Sequence, residues 1–144
     1  MPQRTVREMV ERDRLVSAGP GTTIGEAAGI MAEGRCGSVL VVEDGRLLGI
    51  FTERDLLNRV VGAGRDPGRT HLTEVMTKEP DTIGADEPVI EAIRKMDEFS
   101  YRYLPVLDGG RVIGVISTRH LPFGEVMAMA PELERRHGLA ERML

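Results

Sequence analysis

The chain has 144 residues, of which 41% are apolar, 29% are charged and only 3% are aromatic, and it contains no Trp. Its 19 Lys and Arg against 23 Asp and Glu give a formal charge of −4, so no basic surplus is available for nucleic acid. A single cysteine excludes an internal disulfide and a Cys-based zinc site and favours a cytoplasmic location. The longest apolar runs fall far short of the roughly 20 residues that a membrane-spanning helix needs.

The first half of the chain predicts a helix, a β-hairpin and a second helix. Apolar residues recur at helical spacing over Ile24–Gly34, directly after Thr23, whose hydroxyl is placed to cap a helix. A short apolar strand at 39–42 is followed by the dipeptide Asp44-Gly45, which favours a hairpin turn, and by a return strand. The second helix is predicted at 53–61.

The same pattern recurs 65 positions later. Within residues 22–56, ten of the 35 positions are identical at that offset, and most of the others keep their apolar or polar character. The second copy predicts a helix at 87–98 and strands at 103–107 and 112–117. The helix that should follow meets Pro122 almost at once, so we expect it to be displaced and not lost. The repeat indicates a duplicated unit.

The duplication predicts both the fold class and the domain organisation. One copy of about 50–60 residues with a small sheet is marginal alone, so we expect the copies to pack sheet against sheet around a shared core. The expected architecture is α/β (α+β), with two β-α-β-β-α repeats related by pseudo-two-fold symmetry and a C-terminal helical tail. The expected boundaries are repeat 1 at 5–62, a linker at 63–71, repeat 2 at 72–122 and the tail at 123–144.

Short signatures in both copies resemble a known family. Residues 49–55 read GIFTERD and residues 114–120 read GVISTRH, a pattern of Gly, two apolar residues, Thr or Ser, and an Asp three positions on, which His120 replaces in the second copy. The stretch YRYLPVLD at 101–108 and the VMT at 75–77 are further elements of this kind. Together they resemble a tandem pair of CBS domains, a Bateman module, of the stand-alone bacterial type.

The resemblance implies that an adenosine-containing ligand binds in the clefts between the sheets. AMP, ADP or ATP is expected, with S-adenosylmethionine and NAD as further candidates, and no catalytic cofactor is expected. Asp55 can accept both hydrogen bonds of a ribose diol, and the Thr52 hydroxyl lies at a helix start that attracts anions. The expected ligand-binding residues are Thr23, Gly37, Ser38, Val39, Thr52, Arg54, Asp55 and Arg102.

The same residues have a plainer interpretation. Thr52 and Asp55 also fit an ordinary helix start with an acid in the first turn, which needs no ligand. Arg102 resembles the basic residue with which one copy reaches a phosphate held by the other, but it also fits a solvated charge at a strand end. Small residues at 37–38 leave room for adenine beside apolar side chains.

The second signature departs from the family pattern at His120. A neutral imidazole has one donor and one acceptor, so it cannot bind two hydroxyls as a carboxylate does. The second cleft is therefore expected to be the weaker one, and to be empty, to bind phosphate or to bind a different group. Alternatively, His120 is a capping or packing residue. Its candidate residues are Tyr103, Leu104, Ser117, Arg119 and His120.

Catalytic and metal chemistry find no support in the sequence. The three histidines lie far apart without metal-ligand spacing, no serine stands in a Gly-x-Ser-x-Gly motif, and Cys36 fits a packing residue. We therefore expect a regulatory module and not an enzyme, in which ligand binding changes the angle between the copies and an unidentified partner protein responds. The alternative is a ligand-free dimerisation or adaptor scaffold. A homodimer built partly by the tail helices is expected, whereas nucleic acid and membranes are not expected partners.

Overall fold

The computed structural model describes residues 4–10 and 15–118. In chain order its elements are α1 Val6–Met9, β1 Ser17–Ala18, α2 Ile24–Gly34, β2 Ser38–Glu43, β3 Arg46–Thr52, α3 Glu53–Asp55 with a π-helical continuation Leu56–Val61, α4 Leu72–Val75, β4 Thr77–Lys78, β5 Ile83–Gly84, α5 Val89–Phe99, β6 Tyr103–Asp108 and β7 Arg111–Ser117. The predicted helix after β7 and the predicted tail at 123–144 lie outside the described residues.

The duplication seen in the sequence is also present in the geometry. Helices α2 and α5 both end on a residue in the left-handed conformation, Arg35 with φ 52° and Ser100 with φ 57°, which stand 65 positions apart. The hairpins β2–β3 and β6–β7 have matching registers, and each is interrupted by an irregularity at the same place in the repeat. Gly45 and Gly110 occupy positive-φ positions in the two turns, which is what a tight hairpin requires.

The sheets differ in size because a segment crosses between the copies. The first sheet has the order β1-β2-β3-β4 and the second β5-β6-β7, so the first sheet is larger than the three strands expected from the sequence. Strand β4 follows α4, and both pack on the first copy, where Leu72 and Met76 share a core with Phe51. The space for Met76 exists because Gly49 has no side chain, since a Cβ there would lie 2.6 Å from the Met76 sulfur.

The N-terminal helix makes the reciprocal crossing. Val6 of α1 and Val10, which follows it, belong to the core of the second copy, although they lie within the first repeat in sequence. The Arg7 guanidinium donates to Asp108 at 2.9 Å and to Asp86 at 3.1 Å, and these hydrogen bonds raise the pKa of Arg7 further above its usual value. Each copy therefore packs against a short helix that belongs, by sequence, to the other copy.

The two sheets pack against each other as predicted. Leu40 and Ile50 of the first sheet and Val112 of the second form a buried cluster at the contact, flanked by the partly buried Tyr103 and Val115. Each sheet packs its helices on the opposite side, in one core around Phe51 and another around Ile116. The sheet-to-sheet arrangement of two repeats is thus confirmed, and it leaves clefts at the edges where strand β3 ends.

One predicted helix has an unexpected form. Residues 53–61 were expected to be a single α-helix, but only Glu53–Asp55 is α-helical and Leu56–Val61 continues as a π-helix. The N–H of Gly62 accordingly bonds the carbonyl of Leu57 at 2.7 Å, five residues back. Val60 is buried, whereas Leu57 and Val61 each remain 62% exposed.

Candidate ligand-binding site

The first signature ends strand β3 and begins helix α3. Thr52 is the N-cap of α3, and its Oγ1 accepts a hydrogen bond from the N–H of Asp55 at 3.2 Å. The Asp55 carboxylate reciprocates, because its Oδ2 accepts from the N–H of Thr52 at 3.0 Å. This capping box holds both side chains in place at the strand–helix junction.

The second oxygen of Asp55 faces Arg59. The Arg59 Nε lies 3.6 Å from Asp55 Oδ1, and Arg59 Nη1 donates to the carbonyls of Val75 and Met76 at 3.1 and 3.4 Å. Arg59 thereby connects the carboxylate to the end of α4. The Asp55 side chain keeps 14% exposure, so a carboxylate with a fixed position still has a solvent-facing side.

Thr52 and Asp55 line a cavity of about 350 Å³ between the two copies. This volume falls within the range of about 300–1,000 Å³ that is typical of small-molecule sites. One wall is the end of β3 and the start of α3, a second is the segment at 77–81 that leads from β4 to the second copy, and a third is the stretch just before β6. The lining residues are Ile50, Thr52, Glu53, Arg54, Asp55, Thr77, Glu79, Pro80, Asp81, Ser100, Tyr101, Arg102 and Tyr103. We call this space the Asp55 cavity and residues 77–81 the crossover segment.

The crossover segment is attached to both copies. Its first residues form β4 and pair with β3, whereas the Asp81 carboxylate lies 3.0 Å from Lys95 Nζ and accepts from the Tyr101 hydroxyl at 3.2 Å. Between these attachments Glu79 adopts φ 46°, a left-handed conformation that is uncommon for a residue with a side chain. A molecule in the Asp55 cavity therefore contacts both copies and the segment that joins them.

Tyr101 presents a fixed, uncharged ring to the cavity. Burial and the neighbouring Asp81 raise the pKa of Tyr101, so the phenol stays protonated at neutral pH. The hydrogen bond and charge of Lys95 lower the pKa of Asp81, so that carboxylate stays ionised. The Tyr101 ring also stacks on Phe99, with centroids 5.5 Å apart and planes 25° apart. An aromatic wall held in this way suits a planar ligand.

A second cavity of about 310 Å³ shares a wall with the first. Glu53, Arg102 and Tyr103 line both spaces, and Ser117 and Thr118 complete the second. The Tyr103 hydroxyl donates to Glu53 Oε1 at 3.3 Å, a hydrogen bond between the two copies. The Glu53–Tyr103 pair thus separates the two cavities.

The repeated signatures and the paired sheets match a described family. The family model of the CBS domain matches this chain twice, at residues 6–62 and 72–121. The chain belongs to the CBS domain family. The two cavities therefore lie in a tandem CBS pair, as the sequence signatures predicted.

Curated CBS relatives occur in plants and bacteria. The CBS domain-containing protein CBSCBSPB2 of Arabidopsis thaliana is 32% identical over 139 residues, which cover 96% of this chain and 26% of that protein. The CBS domain-containing protein YhcV of Bacillus subtilis is 31% identical over 113 residues, which cover 78% of this chain and 80% of that protein. The chain thus spans about a quarter of the length of the plant relatives it matches.

Two solved CBS structures that resemble this one contain adenosine compounds. The CBS domain protein PAE2072 from Pyrobaculum aerophilum, complexed with AMP, has a TM-score of 0.80 and 27% identity, covering 89% of this chain and 99% of that chain. The CBS domain pair of protein MJ0100, in complex with 5′-methylthioadenosine and S-adenosyl-L-methionine, has a TM-score of 0.73 and 26% identity, covering 83% of this chain and 93% of that chain.

The structure brings half of the residues predicted for the first CBS cleft together. Thr52, Arg54 and Asp55 from the first copy and Arg102 from the second all line the Asp55 cavity. Their contact with a ligand stays a prediction, and their common location is the structural basis for it.

The other four predicted residues do not line this cavity. Thr23 caps α2, where its Oγ1 accepts from the N–H of Glu26 at 3.2 Å. Ser38 and Val39 are buried on β2, at 4% and 0% exposure, so their side chains serve the packing of the sheet. Residues 100–103 of the second copy contribute to the wall of this cavity, and the role of the small residues at 37–38 beside an adenine stays a prediction.

Gly37 contacts both copies beside the cavities. Its carbonyl accepts from the N–H of Glu53 at 2.9 Å, and a Cβ on Gly37 would overlap the Tyr103 hydroxyl. The missing side chain therefore makes room for Tyr103. This close approach places Gly37 beside the Glu53–Tyr103 pair between the cavities.

The residues predicted for the weaker cleft are divided between several places. Tyr103 lines the Asp55 cavity as well as the second one, and Ser117 lines the second. Leu104 is fully buried in the core of the second copy and lines neither cavity. Arg119 and His120 lie outside the described residues.

Sequence reasoning missed the crossover segment and Tyr101. A usable signal for Tyr101 was present, since three of the five aromatic residues, Phe99, Tyr101 and Tyr103, fall within five positions of an aromatic-poor chain. No comparable signal marked the crossover segment, because its position depends on α4 and β4 joining the first sheet. Over the described ranges, no three His, Cys, Asp or Glu side chains are grouped so as to hold a metal ion, and no helix there is long and apolar enough to cross a membrane.

Proposed function

We propose that this CBS pair is a regulatory module that binds an adenosine-containing ligand in the Asp55 cavity. The observation that carries the proposal is the convergence of the Thr52–Asp55 signature of one copy with Arg102 of the other on one cavity of about 350 Å³. The AMP bound by PAE2072 and the adenosine compounds bound by MJ0100 support this ligand class.

Each part of an adenosine molecule has a chemical partner in the cavity. The solvent-facing side of the Asp55 carboxylate accepts hydrogen bonds from the two ribose hydroxyls, which only a group with several lone pairs can do. The adenine packs against the Tyr101 ring, with Pro80 and Ile50 as further apolar surface. A substituent at the ribose 5′ position then extends toward Arg102.

The signal is a change in the relative position of the two copies. The ligand contacts the first copy through Asp55, the second through Tyr101, and the crossover segment between them. It therefore favours the arrangement in which all three walls fit it, and the available energy is its differential affinity for the alternative arrangements. A partner protein that binds one arrangement better than the other then responds to ligand concentration.

A panel of adenosine compounds tests this function by thermal shift. A specific ligand at about 100 times its Kd adds about 2.7 kcal/mol to the free energy of unfolding, which raises Tm by about 5–10 °C for a chain of this size. The same compound should leave the Tm of Asp55→Ala unchanged from the value of that variant without ligand. Glu74→Ala is the control. It removes the capping box that Glu74 forms with His71 at the start of α4, and neither residue lines the cavity. If no adenosine compound shifts the wild type, the ligand-binding function is wrong.

A ligand-free scaffold is the second candidate, and one observation favours it. The capping box and Arg59 already give both carboxylate oxygens of Asp55 a partner, so the signature is structurally explained without a ligand. Under this proposal the chain acts by assembly alone, and the panel gives no shift at all.

We also propose that the chain forms a homodimer under either function. Leu57 and Val61 are each 62% exposed, stand four positions apart and present apolar surface on one helical segment of the first copy. Association with a second copy would remove this apolar surface from water. Light scattering of the full chain should give a dimer, and the double variant Leu57→Glu, Val61→Glu should give a monomer with unchanged secondary structure. A wild-type monomer, or a double variant that stays dimeric, contradicts this assignment.

A further inference from the structure

The charges on the walls of the Asp55 cavity restrict the kind of adenosine ligand. Among the described residues that line it, four are carboxylates and two are guanidinium groups: Glu53, Asp55, Glu79 and Asp81, with Arg54 and Arg102. The lining itself is therefore acidic. A phosphate-binding site normally has the opposite balance, because each phosphate charge needs Arg, Lys or N–H partners.

Two of these carboxylates are paired with cations that do not line the cavity. Asp55 pairs with Arg59 at 3.6 Å and Asp81 with Lys95 at 3.0 Å, and neither cation lines the cavity. Their positive charges are thus already used by the walls and are not available to a ligand.

The remaining charges on the lining cancel. Glu53 and Glu79 oppose Arg54 and Arg102, which leaves no positive surplus toward the interior. Glu53 is fixed in this position, since its Oε1 accepts from the Tyr103 hydroxyl at 3.3 Å. Glu79 lies in the middle of the crossover segment, where its N–H donates to the carbonyl of Leu48 at 3.2 Å. The Glu53 carboxylate is thus held by a side-chain hydrogen bond, and the backbone of Glu79 is held at the wall.

We propose that the ligand is an adenosine compound without a polyphosphate chain. Its 5′ substituent is neutral, cationic or a single phosphate, and Glu53 and Glu79 are the residues that discriminate against ADP and ATP. This inference rests on the proposed function, since it specifies the ligand of the same cavity. The physical reason is that the three or four negative charges of a polyphosphate meet a lining with four carboxylates and only two guanidinium groups.

Calorimetry with five compounds of different charge tests the proposal. The probes are 5′-methylthioadenosine, S-adenosylmethionine, AMP, ADP and ATP, titrated into the full chain with EDTA present so that no divalent cation masks the phosphates. We expect ATP to bind at least about tenfold more weakly than 5′-methylthioadenosine at low salt. We also expect the ATP affinity to stay level or rise as salt is added, because the lining has no positive surplus whose attraction salt could screen.

Charge-removing variants assign the discrimination to residues. Glu79→Gln and Glu53→Gln should each raise the ATP affinity by about threefold while the affinity for 5′-methylthioadenosine changes by less than about twofold. Glu43→Gln is the matched control, because Glu43 ends β2 at the opposite end of the sheet from the cavity and should change neither affinity.

The outcomes separate this inference from the function on which it rests. If ATP binds most tightly and its affinity falls steeply with salt, the charge argument is wrong and the adenosine site stands. If the Glu79 and Glu53 variants do not alter the ATP affinity, these residues do not discriminate and the proposal is likewise overturned. If none of the five compounds binds, the proposed function itself fails, and the inference fails with it.

Discussion

The sharpest single perturbation of the site is Asp55→Asn, which changes one oxygen of the carboxylate to an NH₂ group. In the wild type, Oδ2 accepts from the Thr52 N–H at 3.0 Å, Oδ1 lies 3.6 Å from Arg59 Nε, and the residue lines the cavity. The single oxygen of asparagine can preserve the capping bond, which places the NH₂ where the ribose diol needs an acceptor. The substitution therefore removes the function of Asp55 while keeping its structural role.

The expected loss follows from these contacts. A hydrogen bond to a charged acceptor contributes about 1.5–3 kcal/mol, so the ligand affinity should fall by about 10- to 150-fold. The free energy of unfolding should fall by less than about 1 kcal/mol, because the cap survives and the pair with Arg59 is partly exposed. Calorimetric titration gives the affinity, and urea denaturation gives the stability.

Glu74→Gln is the control for this prediction. Glu74 occupies the same capping-box position, with Oε2 accepting from the His71 N–H at 2.7 Å, and that hydrogen bond lowers the pKa of Glu74. The Glu74→Gln variant makes the same change from carboxylate to amide away from the cavity and should leave the ligand affinity unaltered. The reasoning is refuted if Asp55→Asn binds within about twofold of the wild type, or if both variants lose affinity equally.

Three further predictions concern packing, positioning and pH. Gly49→Ala places a Cβ 2.7 Å from a backbone carbonyl of β4 and should lower the free energy of unfolding by about 1–3 kcal/mol. Gly29→Ala in α2 has open space around the new Cβ and should raise the free energy of unfolding by about 0.5–1 kcal/mol. Urea denaturation measures both changes, and two changes of the same sign would contradict the packing explanation. Arg59→Gln releases the cavity carboxylate from the end of α4 and should weaken ligand binding by about three- to tenfold, with partial recovery in Arg59→Lys; equal calorimetric affinities for all three proteins would show that Arg59 does not position the site. Lys95 lowers the pKa of Asp81, so the stabilisation is complete above the unfolded pKa of about 3.9 and is lost as the pH falls through the lower folded pKa. The difference in Tm between wild type and Asp81→Asn should therefore hold from about pH 7 to about pH 4 and shrink as the pH falls further, and a difference that does not shrink below about pH 4 contradicts this linkage.

Local patterns were sufficient to predict the repeated unit. The helical spacing after Thr23, the Asp44-Gly45 turn and the 65-residue offset are all encoded in neighbouring residues, and α2 and both hairpins formed where they were predicted. The capping box of Thr52 and Asp55 is equally local. Half of the residues predicted for the first cleft, including these two, consequently line the cavity.

Contacts between the two copies could not be predicted from local sequence patterns. The exchange of α1 and of α4–β4 between the two sheets depends on long-range packing, such as Met76 filling the space beside Gly49. The same exchange brings the crossover segment to the cavity, where it lies beside residues 100–103 of the second copy. Periodicity reports which face of an element is apolar but not which copy covers it.

The most direct test of an adenosine site between the copies uses the tyrosines of this chain. The sequence contains two, Tyr101 and Tyr103, and both line the Asp55 cavity. Protein labelled with 3-fluorotyrosine should therefore give two ¹⁹F resonances, and Tyr101→Phe assigns them. We expect 5′-methylthioadenosine or AMP to shift both resonances saturably in the wild type, and the same shift in Asp55→Asn to need about 10- to 150-fold more ligand. Resonances that stay unmoved in the wild type with every adenosine compound would contradict this expectation.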